Sequence, residues 1–259
     1  MSGATVRTLT PNLVVQLFVE TEPFVRKIIM SLACPSFIAS LDPALCRAVD
    51  HYCERTSEAW SAEPINAVSN AAFLIAGFAA WWLAKQRKAL VEDTLLAVLL
   101  VIIPAIGIGS FIFHVIATRW TEWIDVIPIL VFMLLYLWLA MSRFIGFLAP
   151  FRVAALLAFF AATFAIEAWV PASVLWGGAM YLPAIVALVV IGLMANRWTA
   201  GTRALFLLAI ATFMVSFAMR TADASLCPAL PFGTHFLWHI FNAATVYLLA
   251  RAAIIGKVS

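Results

Sequence analysis

Two histidines stand four residues apart in the stretch HFLWH, at His235 and His239. Side chains at this spacing lie on the same face of a helix, so a single helix would present both imidazoles to one metal ion. A third histidine, His114, ends the stretch GIGSFIFH, and the whole chain has only four. Three protein ligands leave a zinc ion one open position for water, which is the arrangement of catalytic zinc.

Two further polar residues accompany these histidines. Ser110 lies four residues before His114, on the same helix face, where its hydroxyl could stabilise an oxyanion. Asp125, in WIDVIP, could act beside a zinc-bound water as general base and then acid. Each also has a simpler interpretation: Ser110 as a small residue that lets helices pack closely, and Asp125 as an acid that favours a helix N-terminus.

Membrane-spanning helices must position these residues. Of the 259 residues, 65% are hydrophobic and 11% are charged, whereas soluble domains carry about 25% charged residues. Each of seven apolar runs is long enough to cross a bilayer as a helix; they are 66–84, 92–117, 122–144, 150–170, 173–195, 200–221 and 232–254. We therefore expect an all-α membrane protein, with a seven-helix bundle over 66–259 and an extracytoplasmic N-terminal segment over 1–65.

The basic residues predict the orientation of this bundle. Lys and Arg cluster after the first, third and fifth spans and at the end of the chain. Because such residues are retained on the cytoplasmic side, we expect the N-terminus outside and the C-terminus in the cytoplasm, in a bacterial inner membrane. Alternate spans cross in opposite directions, so the three histidines and Asp125 should meet near the outer face. This shared depth favours a metal site over histidines that each hydrogen-bond to a neighbouring helix.

All four cysteines fall on the predicted outer side, where thiols can oxidise. A Cys53–Cys227 disulfide would tie the N-terminal segment to the last helical hairpin, and Cys34 and Cys46 could also pair, although spacing alone does not determine connectivity. At the end of the sixth span, Arg220 and Asp223 are expected to form an interfacial ion pair.

The N-terminal segment is acidic: seven of the 13 carboxylates lie before Asn66. It lacks the basic start and small-residue exit of a secretory signal, and Met30 is an alternative start. The formal net charge of +3 is too small to indicate a nucleic-acid partner, and nothing in the sequence predicts a protein partner.

The motifs together resemble the alkaline ceramidase family, part of a superfamily of seven-helix membrane hydrolases that includes the progestin and adiponectin receptors. They are YCE at 52–54, EPINAVSN at 63–70, GIGSFIFH at 107–114, Asp125 and HFLWH at 235–239. The resemblance implies zinc held by His114, His235 and His239, and water activated there that attacks the amide carbonyl of a ceramide-like N-acyl lipid. Asp125 would transfer the proton and Ser110 would hold the oxyanion, releasing fatty acid and sphingoid base.

The resemblance also implies a calcium ion in the acidic segment. Glu54 and Glu63 match the family best, and Asp50 is a reasonable third ligand, since calcium prefers several oxygen ligands. The segment departs from the family pattern, however: the spacing between the CE pair and Glu63 is shorter than in eukaryotic members, and Thr56 stands where Asn is usual. The simpler interpretation of these acids is a solvated outer surface.

Two other classes of seven-helix protein compete with a hydrolase. A lipid receptor or sensor could keep the same metal site for ligand binding or stability, as the related receptor families do; GIGSFIFH together with the acidic N-terminal segment favours the enzyme. A retinal photoreceptor would need a Schiff-base lysine in the last helix, but the only lysine there, Lys257, lies past the span.

Overall fold

The computed structural model describes residues 31, 33–91, 93–171, 173–195 and 199–256. Met30 and the first 29 residues of the N-terminal segment lie outside this part of the chain. A short helix, α1 (Ser36–Leu41), precedes seven helices that are long and apolar enough to cross a membrane. These are α2 (Pro64–Gln86), α3 (Thr94–Ile116), α4 (Arg119–Ile145), α5 (Ala149–Trp169), α6 (Val174–Met194), α7 (Ala200–Leu226) and α8 (His235–Ile255). The expected seven-helix membrane bundle is confirmed.

The helix ends differ from the predicted ends by at most five residues, and two of these ends have identifiable local features. α2 begins at Pro64, because proline is well suited to the first position of a helix. α7 continues to Leu226, five residues past its predicted end. In this polar last stretch, the hydroxyls of Thr221 and Ser225 donate to carbonyls of the preceding turn, so both hydroxyls have partners within the helix itself.

The last helix forms the centre of the bundle. α8 packs against α2, α3 and α7, and 67% of its membrane window is buried. In α5, by contrast, only 6% of the window is buried, which leaves that helix at the lipid-facing edge. Residues on α8 are therefore shielded from lipid by neighbouring helices.

Two glycines in the stretch GIGS bring α3 close to its neighbours. A methyl group on Gly107 would lie 2.8 Å from the Asn70 carbonyl oxygen of α2, and one on Gly109 would collide with the Ile124 carbonyl of α4. Small residues allow this close backbone approach between membrane helices. The glycines thus place Ser110 and His114 beside both neighbouring helices.

The N-terminal segment is attached to the end of the bundle that carries the histidines. The Val49 amide donates to the Ala117 carbonyl (2.9 Å) and the Arg119 amide donates to the Arg47 carbonyl (3.0 Å). The Cys34–Cys46 and Cys53–Cys227 disulfides, a pairing that the sequence allows but does not determine, are both present. The second one links the segment directly to the connection between α7 and α8.

Candidate metal centre

The three predicted histidine ligands converge. His114 on α3 and His235 and His239 on α8 are each at most 2% exposed, and their ligand atoms all lie within 4.8 Å of one another. The Nε2 atoms of His114 and His239 are 3.2 Å apart. Within the described part of the chain, this is the only group of three His, Cys, Asp or Glu side chains whose geometry could hold a metal ion.

Two of the imidazoles are oriented by hydrogen bonds on the far side of the ring. His114 Nδ1 lies 2.6 Å from Glu63 Oε2, and His239 Nδ1 lies 2.7 Å from Ser69 Oγ. The Ser69 hydroxyl donates to the Asn66 carbonyl, so it accepts from His239. Each Nδ1 therefore carries the proton, which leaves the Nε2 lone pairs facing each other. Such outer partners are typical of metal-binding histidines.

His235 is held differently. Tyr52 of the N-terminal segment stacks on its ring, with centroids 3.6 Å apart and planes inclined by 17°. Its Nδ1 atom is buried without a hydrogen-bond partner among the described residues. A buried imidazole nitrogen with no partner is costly, and a metal ion would satisfy it.

These observations fit zinc. Two nitrogens bound at about 2.05 Å in a tetrahedral zinc site lie about 3.3 Å apart, close to the 3.2 Å found between His114 and His239. Three neutral imidazoles leave one coordination position open for water. The site can thus hold a zinc ion without a change of ring tautomer at His114 or His239.

The two predicted catalytic residues border the histidines. Ser110 is 2% exposed, and its hydroxyl lies 3.5 Å from His239 Nε2. The carboxyl group of Asp125 lies near the Ser110 hydroxyl and near His114. α3, α4 and α8 thus bring Ser110, Asp125 and the histidines together, as the alternating direction of the spans predicts.

The acidic residues proposed as calcium ligands have other partners. Both carboxylate oxygens of Glu54 accept backbone amides at the start of α2, from Ile65 (2.7 Å) and Asn66 (2.8 Å). Glu63 bonds to His114, Arg55 and Asn66. Asp50 is exposed. The structure gives no support for a calcium site built from Asp50, Glu54 and Glu63.

Glu63 is ionised in this arrangement. Burial raises the pKa of its carboxyl group, but the hydrogen bond from His114 and the Arg55 guanidinium outweigh burial and hold the pKa below its usual value. A carboxylate that accepts the His114 Nδ1 proton makes the opposite nitrogen a stronger metal ligand. The family resemblance implies calcium binding by Glu63, whereas no motif in the sequence indicates its bond to His114.

The predicted Arg220–Asp223 ion pair is wrong. Asp223 accepts the backbone amides of Cys53 (3.0 Å), Thr234 (2.6 Å) and His235 (2.9 Å). The bonds from Thr234 and His235 satisfy donors at the N-terminus of α8, where a carboxylate is favourable. Arg220 instead donates to the Trp176 carbonyl and lies over the Tyr181 ring. Asp223 therefore fixes the start of the helix that carries two of the histidines.

An apolar cavity of about 70 Å³ lies one helical turn from the histidine cluster. Ile106, Ile129 and Asn242 line it. On their helices, Ile106 lies four residues before Ser110, Ile129 four after Asp125 and Asn242 three after His239. A larger groove of about 460 Å³ between α4, α5 and α6 shares Phe159 and Ile191 with it. The space beside the candidate site is thus lined mainly by apolar side chains, which suits an alkyl chain.

A comparison with protein-family models identifies the family to which the chain belongs. The ceramidase family model matches residues 48–258, which include all seven spans and every residue of the metal centre. The chain belongs to the ceramidase family. No curated protein matches this ceramidase family member. Family membership supports a hydrolase that acts on the amide bond of ceramide, within a multi-pass membrane protein.

Proposed function

We propose that the chain is a zinc-dependent amidohydrolase that cleaves ceramide-like N-acyl lipids to a fatty acid and a sphingoid base. The convergence of three buried histidines carries this proposal, because two of them have their Nδ1 protons fixed by acceptors and direct Nε2 inward. Membership of the ceramidase family supplies the substrate class.

His114, His235 and His239 would hold the zinc, which supplies a bound water with a pKa near 7. Asp125 would take a proton from the attacking water as its oxygen bonds to the amide carbon, and would deliver that proton to the amine as the C–N bond breaks, acting as a general base and then acid. The Ser110 hydroxyl donates a hydrogen bond to the oxyanion that develops on the amide carbonyl. The proximity of Ser110 to both Asp125 and His239 supports these roles.

The acyl chain enters the apolar cavity between the helices. The cavity lies between α3, α4 and α8, about one helical turn from Ser110, Asp125 and the histidines. A carbonyl group beside Ser110 would therefore place its hydrocarbon tail among the residues that line this space. The site opens toward the outer leaflet of a bacterial inner membrane, with the N-terminus outside and the C-terminus in the cytoplasm.

The purified protein in detergent, offered a panel of ceramides and other N-acyl lipids, tests this function by release of fatty acid. His235→Ala should abolish both bound zinc and hydrolysis. His51→Ala is the matched control: His51 is the one histidine outside the cluster, and it lies exposed beside Glu122. This control should keep both zinc and activity.

Bound zinc without hydrolysis of any lipid amide would refute the enzyme and leave a zinc-containing lipid receptor. Equal loss of activity in His51→Ala and His235→Ala would also contradict the proposal, because only His235 belongs to the cluster.

A further inference from the structure

Arg55 is a buried cation beside the metal centre. The residue is 8% exposed, although it lies in the polar segment that precedes the first span. Arginine is almost never buried unless its charge is paired. Its position in the interior therefore requires a counter-charge and a full set of hydrogen-bond acceptors.

Oxygen atoms surround its guanidinium group. Nε donates to Glu63 Oε1, and NH2 donates to the His114 carbonyl at 3.0 Å. NH1 points to the carbonyls of Ser57 (3.3 Å) and Ala59 (3.5 Å). One carboxylate and three carbonyls thus gather around a single positive group.

Such a set of oxygens also suits a divalent cation, since calcium takes carboxylate and carbonyl ligands. Here the guanidinium group of Arg55 occupies the space between these oxygens. A second cation at the same place would overlap with the guanidinium and would be repelled by its positive charge. Glu63 is one of the residues to which the family resemblance assigns calcium. One of its carboxylate oxygens accepts from Arg55, and the other accepts from His114 and Asn66.

We propose that Arg55 is a built-in cation that takes the place of calcium in this chain and holds Glu63 against His114. Arg55 is a positioning residue: it neutralises the buried carboxylate and fixes its second oxygen toward His114 Nδ1, while its bond to the His114 carbonyl fixes the backbone of the same ligand. The inference rests on the proposed zinc site, but its calcium part is independent of catalysis.

Metal analysis of the wild-type protein tests the calcium part. The protein is passed over a metal-chelating resin, and bound calcium and melting temperature are then measured at increasing calcium, with magnesium as a control. We expect no stoichiometric calcium and no shift of the melting temperature. One tightly bound calcium per chain, or a melting temperature that rises with calcium but not with magnesium, would overturn the proposal.

Arg55→Ala tests the positioning role. It leaves the oxygens in place without a cation, so zinc affinity should fall about 10- to 100-fold, the usual effect of losing an outer partner of a metal ligand. Added calcium should restore part of that affinity. Arg47→Ala is the control, because Arg47 is an exposed arginine in the same segment, and it should leave zinc affinity unchanged.

Arg55→Lys covers the case in which Arg55→Ala does not fold. It keeps the charge but loses the planar fork of donors, so zinc affinity should lie between those of the wild type and Arg55→Ala. Unchanged zinc affinity in Arg55→Lys and Arg55→Ala would refute the positioning role. A protein that binds zinc, ignores calcium and hydrolyses no lipid amide would refute the proposed function while leaving this inference standing.

Discussion

Replacing Glu63 by glutamine removes one negative charge and keeps the shape of the side chain. Glu63 and Arg55 form a pair whose side chains are 2% and 6% exposed. Breaking a buried pair by removing one partner costs about 3–5 kcal/mol. Because glutamine still offers one carbonyl oxygen, we expect a loss at the lower end, about 3 kcal/mol.

This loss corresponds to a fall of roughly 6–12 °C in melting temperature, at about 2–4 °C per kcal/mol for a chain of this size. Glu63→Gln should also weaken zinc binding about 10- to 100-fold, because His114 Nδ1 loses its carboxylate acceptor. Thermal unfolding of the zinc-free protein and a zinc competition titration measure the two effects separately. Glu58→Gln, an exposed acid of the same segment, is the control and should change neither.

The dependence of folding stability on acidic pH provides a third test of the role of Glu63. Because the pKa of Glu63 is lowered in the folded protein, its stabilising contribution is present above the unfolded value of about 4.3 and is lost as pH falls through the folded value. The zinc-free wild type should therefore lose stability in this acidic range more steeply than Glu63→Gln does. A Glu63→Gln protein with wild-type melting temperature, zinc affinity and acid response would refute the role assigned to Glu63.

Three further predictions concern other parts of the site. Ser69→Ala removes the acceptor of His239 Nδ1 and should weaken zinc binding at least about tenfold; unchanged affinity in a zinc titration would contradict that role. Asp125→Asn should keep its zinc and lose activity about 10²- to 10⁴-fold, whereas full fatty-acid release would exclude Asp125 as the proton carrier. Replacing both Cys53 and Cys227 by serine removes a disulfide that joins residues 174 positions apart. The free energy of unfolding should fall by about 2–4 kcal/mol, and an unchanged melting temperature would contradict a stabilising role for this disulfide.

The sequence predicts the spans and the histidine cluster because both rest on strong, simple signals. Long apolar runs leave helices as the only stable form in a bilayer. The i,i+4 spacing of His235 and His239 and the alternating direction of the spans then bring His114 to the same depth. Both disulfides are also consistent with the placement of all four cysteines outside the spans.

The partners of charged residues depend on side-chain direction, which spacing does not reveal. The family resemblance assigned Glu63 to calcium, yet Glu63 contacts Arg55 and His114, which lie eight and 51 residues away. Arg220 and Asp223 are neighbours on one helix, but the backbone amides at the start of α8 bind Asp223 instead. Asp223 lies inside α7, twelve residues before the first residue of α8, so no local capping spacing indicates this contact.

The central claim is that zinc held by the three histidines makes this ceramidase family member a hydrolase. The most direct measurement strips the purified protein of metal, returns zinc in steps, and follows fatty-acid release from a ceramide against bound zinc. We predict that activity rises in proportion to bound zinc and reaches its maximum at one zinc per chain. Full activity in the metal-free protein, or no fatty-acid release at one bound zinc per chain, would contradict it.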